Sequence, residues 1–353
     1  MKLLYIAPAS NPHSIRWIKK VNEILKIKKI TWITYEPIPK EIIDEDLNIK
    51  YLELKHIFDL KTFQVFFTKY DYVHVHSLAR YLLPSLFVNP KKLVLTAWGS
   101  DIYFARKNIF IKFLQNKQLK NSKAITCDSD QLINKLSQIT KKQKIYRINF
   151  GTDCKIFKPN KKEPKLIKGS KYILSTRNFY EVYDILTLLK AYSKLSTDIK
   201  NKYKLILIGR GPCEKDLKKF VIEKKLKKNV FFPGYVSQSE LSKFYSNCAL
   251  YISTSLSDGG LASSTAEAMA AGAISIITNV KENKKWVNTK DNNGAIFEPK
   301  NSNQLSRMIQ KLLSLSIEER TLMSKNSRKK ILLESNIEIE IKKFCDLIKS
   351  FNF

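Results

Sequence analysis

The sequence predicts an α/β protein made of two doubly wound parallel sheets in succession. Three observations carry that prediction. Short apolar, β-prone runs alternate with amphipathic stretches from end to end, the pattern of strands joined by crossover helices. The alternation pauses once, at the Lys/Pro-rich stretch Lys155–Lys168, and then restarts. A chain of 353 residues, 44% hydrophobic, fills two domains more naturally than one.

In the first half, strands are expected at Leu3–Ala7, Ile30–Tyr35, Tyr72–His76, Leu93–Ala97, Ala124–Cys127 and Ile145–Ile148, with helical patterns at Ile15–Leu25 and Tyr81–Val88. Past the linker-like stretch, strands are expected near Tyr172–Ser175, Tyr203–Ile208, Val230–Phe232, Ala249–Ser253 and Ile274–Ile277. Helices are expected at Val182–Leu195, Glu214–Lys224, Glu240–Ser246 and from about Ser263 to Ala271, and the tail from Asn303 reads as helix upon helix. Two such blocks give two Rossmann-like domains facing a cleft. The expected limits are 1–160 and 161–335, with a C-terminal helix, 336–353, packing back on the first domain.

Charge narrows the partners. With 63 Lys plus Arg against 32 acids, the formal net charge is +31, which draws anions; a Lys-, Ile- and Asn-rich composition accounts for part of it. No RNP-like aromatic motif, finger or recognition helix is visible, so nucleic acid is not an expected partner. A membrane surface or a phosphate-bearing substrate fits better. No apolar run is long enough to span a bilayer, and Lys2 precedes only a short strand-like run, so a cytoplasmic location is expected. Five cysteines without CxxC spacing point to a reducing compartment, and to neither a disulfide framework nor a zinc site.

The most informative stretch runs from Ala249 to Gly272: a strand, a polar turn with Asp258, Gly259 and Gly260, then a helix of small residues. Such a turn leaves free N–H groups at the helix start, suited to a phosphate. Asp258 and Glu267 add carboxylates for sugar or ribose hydroxyls. Alternatively, Ser264 and Glu267 form a capping box that only satisfies the helix end. Of ten glycines, only Gly99 falls in the first 150 residues, whereas Gly209, Gly211 and Gly234 follow expected strands. No GxGxxG or P-loop motif is present, which argues against a simple dehydrogenase or P-loop NTPase. His74 and His76 share one strand face, a poor metal case.

Several motifs recur in order over nearly the whole length: HVHSLAR at His74–Arg80, LTAWGSDI at Leu95–Ile102, NFGTDCKIFKP at Asn149–Pro159, STRN at Ser175–Asn178, LIGRGPCEKDLKK at Leu207–Lys219, the SDGG…EAMAAG segment, and NNGAIFEPKN at Asn292–Asn301. In that order they resemble a family 4 glycosyltransferase with a GT-B fold. The resemblance implies a C-terminal domain holding a UDP- or GDP-sugar, an N-terminal domain holding a glycan or a polyprenyl- or lipid-linked acceptor, transfer with retention, and neither metal nor cofactor. Arg177 is then the cation for the leaving diphosphate, with Arg210 as a second candidate. Glu267 matches the ribose-binding acid, and Asp258 or the Gly259–Gly260–Leu261 backbone would meet the transferred sugar. Gly209, Ala262 and Ser263 complete the implied donor site. On the acceptor side the resemblance brings Trp98, Gly99, Ser100 and Asp101, with His13 and His76 as further candidates.

The chain departs from the family pattern at three positions. Val182 stands where a lysine is usual, the first glutamate of the acidic pair falls on Gly259, and Trp98 replaces the histidine of the HG-x-D loop. Family acceptors and the basic, apolar run Arg106–Lys123 together suggest peripheral association with the anionic inner face of the cell membrane. The expected setting is surface polysaccharide, lipopolysaccharide or lipid-linked oligosaccharide synthesis. A GT-B nucleotide-sugar epimerase, a phosphorylase-like enzyme and a non-catalytic binding protein of the same fold are the alternatives.

Overall fold

A computed structural model describes residues 2–9, 11–27, 30–36, 49–53, 67–141, 144–160, 162–258, 260–280 and 282–351. The chain divides into two units, Met1–Gly151 with Glu338–Phe353, and Thr152–Ile337.

The first unit holds β1 (Leu3–Ile6), β2 (Ile30–Thr34), β3 (Ile49–Glu53), β4 (Tyr72–His76), β5 (Leu93–Thr96), β6 (Ala124–Cys127) and β7 (Ile145–Arg147). They form one sheet in the order β3-β2-β1-β4-β5-β6-β7, and every pairing is parallel. β1, β2, β4, β5 and β6 are buried along their whole length, which is why they read as apolar runs and not as alternation. Its helices are α1 (Pro12–Leu25), α2 (Ser100–Tyr103), α3 (Ile109–Asn121), α4 (Asp130–Ser137) and, from the chain end, α13 (Ile337–Lys349). The helix expected at Tyr81–Val88 is a 3-10 helix, Arg80–Phe87. Pro84 inside it lacks the N–H that an α-helical bond needs and would crowd the preceding turn.

The second unit holds β8 (Lys171–Ser175), β9 (Tyr203–Ile208), β10 (Val230–Gly234), β11 (Leu250–Ser253), β12 (Ser275–Thr278) and β13 (Gly294–Phe297), ordered β10-β9-β8-β11-β12-β13 and again all parallel. Around it lie α5 (Ile185–Ser193), α6 (Thr197–Lys202), α7 (Glu214–Glu223), α8 (Gln238–Asn247), α9 (Ser263–Ala270), α10 (Asn283–Trp286), α11 (Ser302–Leu313) and α12 (Ile317–Glu334). Leu188, Leu217 and Ile309 of α5, α7 and α11 pack one core. Phe244, Met269 and Ile331 of α8, α9 and α12 pack another. Helices therefore cover both faces of the sheet.

The boundary falls at Gly151, earlier than the expected 160, for a physical reason. Cys154 and Phe157 are buried in the second unit's core, and Thr152 bridges Asn336. The hydroxyl of Ser242 in α8 donates to the Ile156 carbonyl at 2.7 Å, and Asn247 Nδ2 donates to the Asn160 and Lys162 carbonyls. The stretch read as a linker is thus packed structure.

Both sheets have the strand order in which the direction of winding reverses between the first and fourth strands of the unit. In such sheets ligands bind beyond the carboxyl ends of the strands at that switch point. In the second unit these ends are Ser175 of β8 and Ser253 of β11.

Candidate active site

Arg177 leaves the end of β8 two residues past Ser175, and Asp258 lies in the turn between β11 and α9. The Arg177 Nη2 donates to Asp258 Oδ1 at 2.6 Å, and the two side chains are only 10% and 6% exposed. Its Nη1 donates to Ser264 Oγ at 3.1 Å, and the guanidinium carbon sits 4.2 Å from the centre of the Tyr183 ring. Arg177 Nε is buried and has no partner among the described residues. The cation is therefore held on three sides and left unsatisfied on one.

Ser264 does not close a capping box with Glu267. It is the second residue of α9, whose N-cap is Ala262, with no side-chain cap among the described residues. Its oxygen instead accepts from Arg177 and from the Tyr251 hydroxyl, the latter at 2.9 Å. Glu267 is buried on the same helix. Its Oε2 accepts from the Tyr245 hydroxyl at 3.4 Å, and that hydroxyl lies 2.8 Å from Thr176 Oγ1. Burial first, then the neighbouring Glu267 charge, push the Tyr245 pKa well above its ordinary value, so it remains a donor. The structure thus gathers Arg177, Asp258, Ser264 and Glu267 around the switch point. The start of α9 adds the positive end of a helix dipole.

The other donor-site candidates fall around this group. Gly260, Leu261, Ala262 and Ser263 form the lead-in and first residue of α9; Gly259 lies outside the described residues. Gly209 has a positive φ of 147°, and a Cβ there would stand 2.9 Å from the Arg177 carbonyl, so the glycine allows the loops after β8 and β9 to touch. Arg210 is exposed, and a Cβ on Gly234 would stand 3.2 Å from its Nη2; Arg177's partners do not include it. Val182 is also exposed. Its carbonyl accepts from Leu256 N at 2.8 Å, and the Tyr183 carbonyl accepts from Thr254 Oγ1 at 2.8 Å. These two bonds fix Tyr183 under the guanidinium. Next to Val182 the chain thus sets an aromatic platform under Arg177.

In the first unit three of the acceptor-side candidates, or residues beside them, are buried. His74 and His76 do share a face, but both are fully buried. His76 lies 3.4 Å from Ser14 Oγ, amid Tyr5, Trp17, Trp98 and Phe150. His74 Nε2 is 2.6 Å from Thr96 Oγ1, and its ring stacks on Phe344. Burial lowers the His76 pKa to about 3 and that of His74 well below the usual value. His76 is a buried core residue, and burial favours its neutral form. Asp101 is buried too. It accepts from Leu78 N at 2.6 Å and from Trp98 N at 3.0 Å, so it ties the loop after β4 to the loop after β5. Gly99, at φ 89°, turns the chain into α2, and Ser100 is exposed there. The His13 side chain lies outside the described residues.

Trp98 faces a cavity of about 470 Å³ at this end of the sheet, lined also by Asn11, Glu36, Ser77, Arg80 and Tyr81. Arg80 donates to Glu36 at 2.7 Å and sits 5.1 Å from the Tyr81 ring centre. Glu36, Arg80, Tyr81, Tyr183 and Tyr245 were not among the sequence candidates, although Arg80 closes the HVHSLAR motif. Among the described residues no group of three or more His, Cys, Asp or Glu side chains could hold a metal ion, and no helix is long and apolar enough to cross a membrane.

Comparison with known proteins agrees with the fold. Residues 2–129 match the model of the glycosyl transferase 4-like family, and residues 157–330 that of the glycosyl transferases group 1. These matches take in most of both units, and the chain belongs to the group 1, family 4-type glycosyltransferases of GT-B fold. It is 27% identical over 153 residues to N-acetyl-alpha-D-glucosaminyl L-malate synthase of Bacillus anthracis, a match spanning 40% of each chain. Among solved structures it resembles Anabaena Alr3699/HepE, crystallised with UDP and glucose (TM-score 0.81, 15% identity, 99% of this chain and 100% of that one). It also resembles WaaG, a glycosyltransferase involved in lipopolysaccharide biosynthesis (TM-score 0.73, 13% identity, 99% of both chains).

Proposed function

We propose that this chain is a retaining glycosyltransferase that moves a sugar from a UDP- or GDP-sugar to a glycan or lipid-linked acceptor, without a metal ion. Its product would enter surface polysaccharide, lipopolysaccharide or lipid-linked oligosaccharide synthesis. The observation that carries the reading is the Arg177–Ser264–Glu267 group at the start of α9. As the glycosidic bond breaks, negative charge grows on the leaving diphosphate, and fixed donors aimed at that charge lower the barrier. Arg177 and the first amides of α9 supply such donors. Glu267, kept in place by Tyr245, is suited to accept from ribose hydroxyls. Retention is taken from the family resemblance.

A peripheral membrane location completes the proposal. On α3, Ile109, Phe110 and Phe113 are 84%, 60% and 67% exposed, beside Arg106, Lys107, Lys112, Lys117 and Lys120. That pairing of bare apolar groups with positive charge suits an anionic bilayer surface.

Purified protein incubated with UDP-, GDP-, ADP- and CMP-sugars and a mixed glycan-lipid acceptor extract should transfer or slowly hydrolyse one uridine or guanosine donor, with EDTA making no difference. Glu267→Ala should lower kcat/KM about 10- to 100-fold, the loss expected of one hydrogen bond to a buried charge. Folded protein that neither binds nor cleaves any donor in the panel defeats the proposal.

A further inference from the structure

We propose that Asp258 is a placeholder anion. Its carboxylate occupies the Arg177 guanidinium until the donor's diphosphate arrives, and the two anions then exchange. The inference rests on the donor-site reading above and deepens it. A guanidinium this buried must have a counter-charge, because an unpaired buried ion costs several kcal/mol. Asp258 supplies it at 2.6 Å, with one tenth or less of either side chain exposed. Yet Arg177 reaches the first turn of α9, where Ser264 receives its Nη1 and the N-cap Ala262 has no side-chain cap among the described residues. The carboxylate therefore stands on the very group that a diphosphate needs.

Two further features make exchange physically reasonable. Arg177 Nε is buried without a partner among the described residues, so the carboxylate leaves part of the fork unused. A diphosphate offers several charged oxygens and satisfies guanidinium donors better than one carboxylate oxygen. The guanidinium also keeps its Tyr183 platform and Ser264 bond when Asp258 leaves, so its position does not depend on the pair. Once released, Asp258 is a carboxylate beside the bound donor and can accept from a hydroxyl of the transferred sugar. One side chain would then couple capture of the diphosphate to recognition of the sugar.

The sign of one substitution separates this from a simple contact role. The apparent affinity for an anion is reduced by the fraction of time that Arg177 is free. If the pair is closed about nine-tenths of the time, its removal strengthens binding about tenfold. Isothermal titration of UDP, GDP and inorganic pyrophosphate should therefore show Asp258→Asn binding UDP or GDP, and pyrophosphate, more tightly than the unaltered protein, with Arg177→Gln binding them far more weakly. Asp258→Ser, which also removes the charge, should change affinity in the same direction and serves if the asparagine variant does not fold. Unchanged or weaker binding by the folded Asp258 variants overturns the proposal and makes Asp258 a residue that positions Arg177. If none of the three ligands binds the unaltered protein, both the placeholder and the donor-site reading fail.

Discussion

In the unfolded chain His76 titrates near the ordinary imidazole value of about 6.5, whereas burial holds it at about 3 in the folded protein. Between those values the unfolded chain binds a proton that the fold refuses, so stability is fully present above about pH 6.5 and falls as the pH drops toward 3. His74 shifts in the same direction, by burial and then by His76. Asp101 works the other way: burial raises its pKa, so the fold holds a proton that the unfolded chain releases. Urea unfolding at pH 7 and pH 5.5 should therefore show a loss of stability at the lower pH that is smaller in His76→Gln. Equal losses in both proteins would contradict the buried, neutral imidazole. The sequence shows that the two histidines share a strand face, because that follows from period two. It does not show that Trp17, Phe150 and Phe344 cover this face, the last from the far end of the chain. Asp258 and Glu267 stand out in the sequence because they flank a glycine-rich turn between a strand and a helix of small residues, whereas Arg177 entered only through the family resemblance. Tyr183 and Tyr245 were not legible, because their roles arise from contacts across distant segments.

Among the elements, α3 presents the sharpest conflict between composition and burial. Asn108 starts it by accepting from Ile111 N at 3.1 Å, and Leu114 and Leu119 bury its inner side. Ile109, Phe110 and Phe113 are mostly exposed and lie outside the buried core, so replacing all three with serine should move stability by no more than about 0.5 kcal/mol per site. Co-sedimentation with phosphatidylglycerol vesicles should nevertheless fall severalfold, and raised salt should weaken what remains. Binding that survives the triple substitution, or that is equal on phosphatidylcholine vesicles, would remove α3 as the membrane face. The basic, apolar character of this segment was plain in the sequence, but its outward direction was not. Edge strands were the elements most easily overlooked. β3 carries Lys50 and Glu53 among its five residues, and the four-residue β13 opens on a glycine, so neither stands out as an apolar run. Both lie at the margins of their sheets, where one neighbour suffices and the pattern is less constrained.

At the scale of the molecule, each unit closes cores of its own around a fully parallel sheet. A nucleotide held by the second unit should therefore stabilise that unit first. At about a hundredfold excess over Kd the gain is about 2.7 kcal/mol. Hydrogen exchange followed by mass spectrometry should show new protection over Arg177–Tyr183 and Thr254–Glu267 on adding UDP or GDP. Protection appearing only in β1 and β4 would place the nucleotide in the wrong unit. The two-sheet organisation was readable because parallel strands buried on both faces leave unbroken apolar runs. The boundary was misplaced because lysines and prolines resemble a linker even where Phe157 between them is buried.

The placement of α13 with the first unit has a consequence for the order of events during synthesis. Phe344, which lies flat against His74, leaves the ribosome only after the whole of Thr152–Ile337. At roughly 5–20 residues per second, the newborn amino-terminal sheet waits on the order of ten seconds or more for its last aromatic cover. Through that interval the His74 imidazole lacks the ring that stacks on it and stands more open to water and to protons.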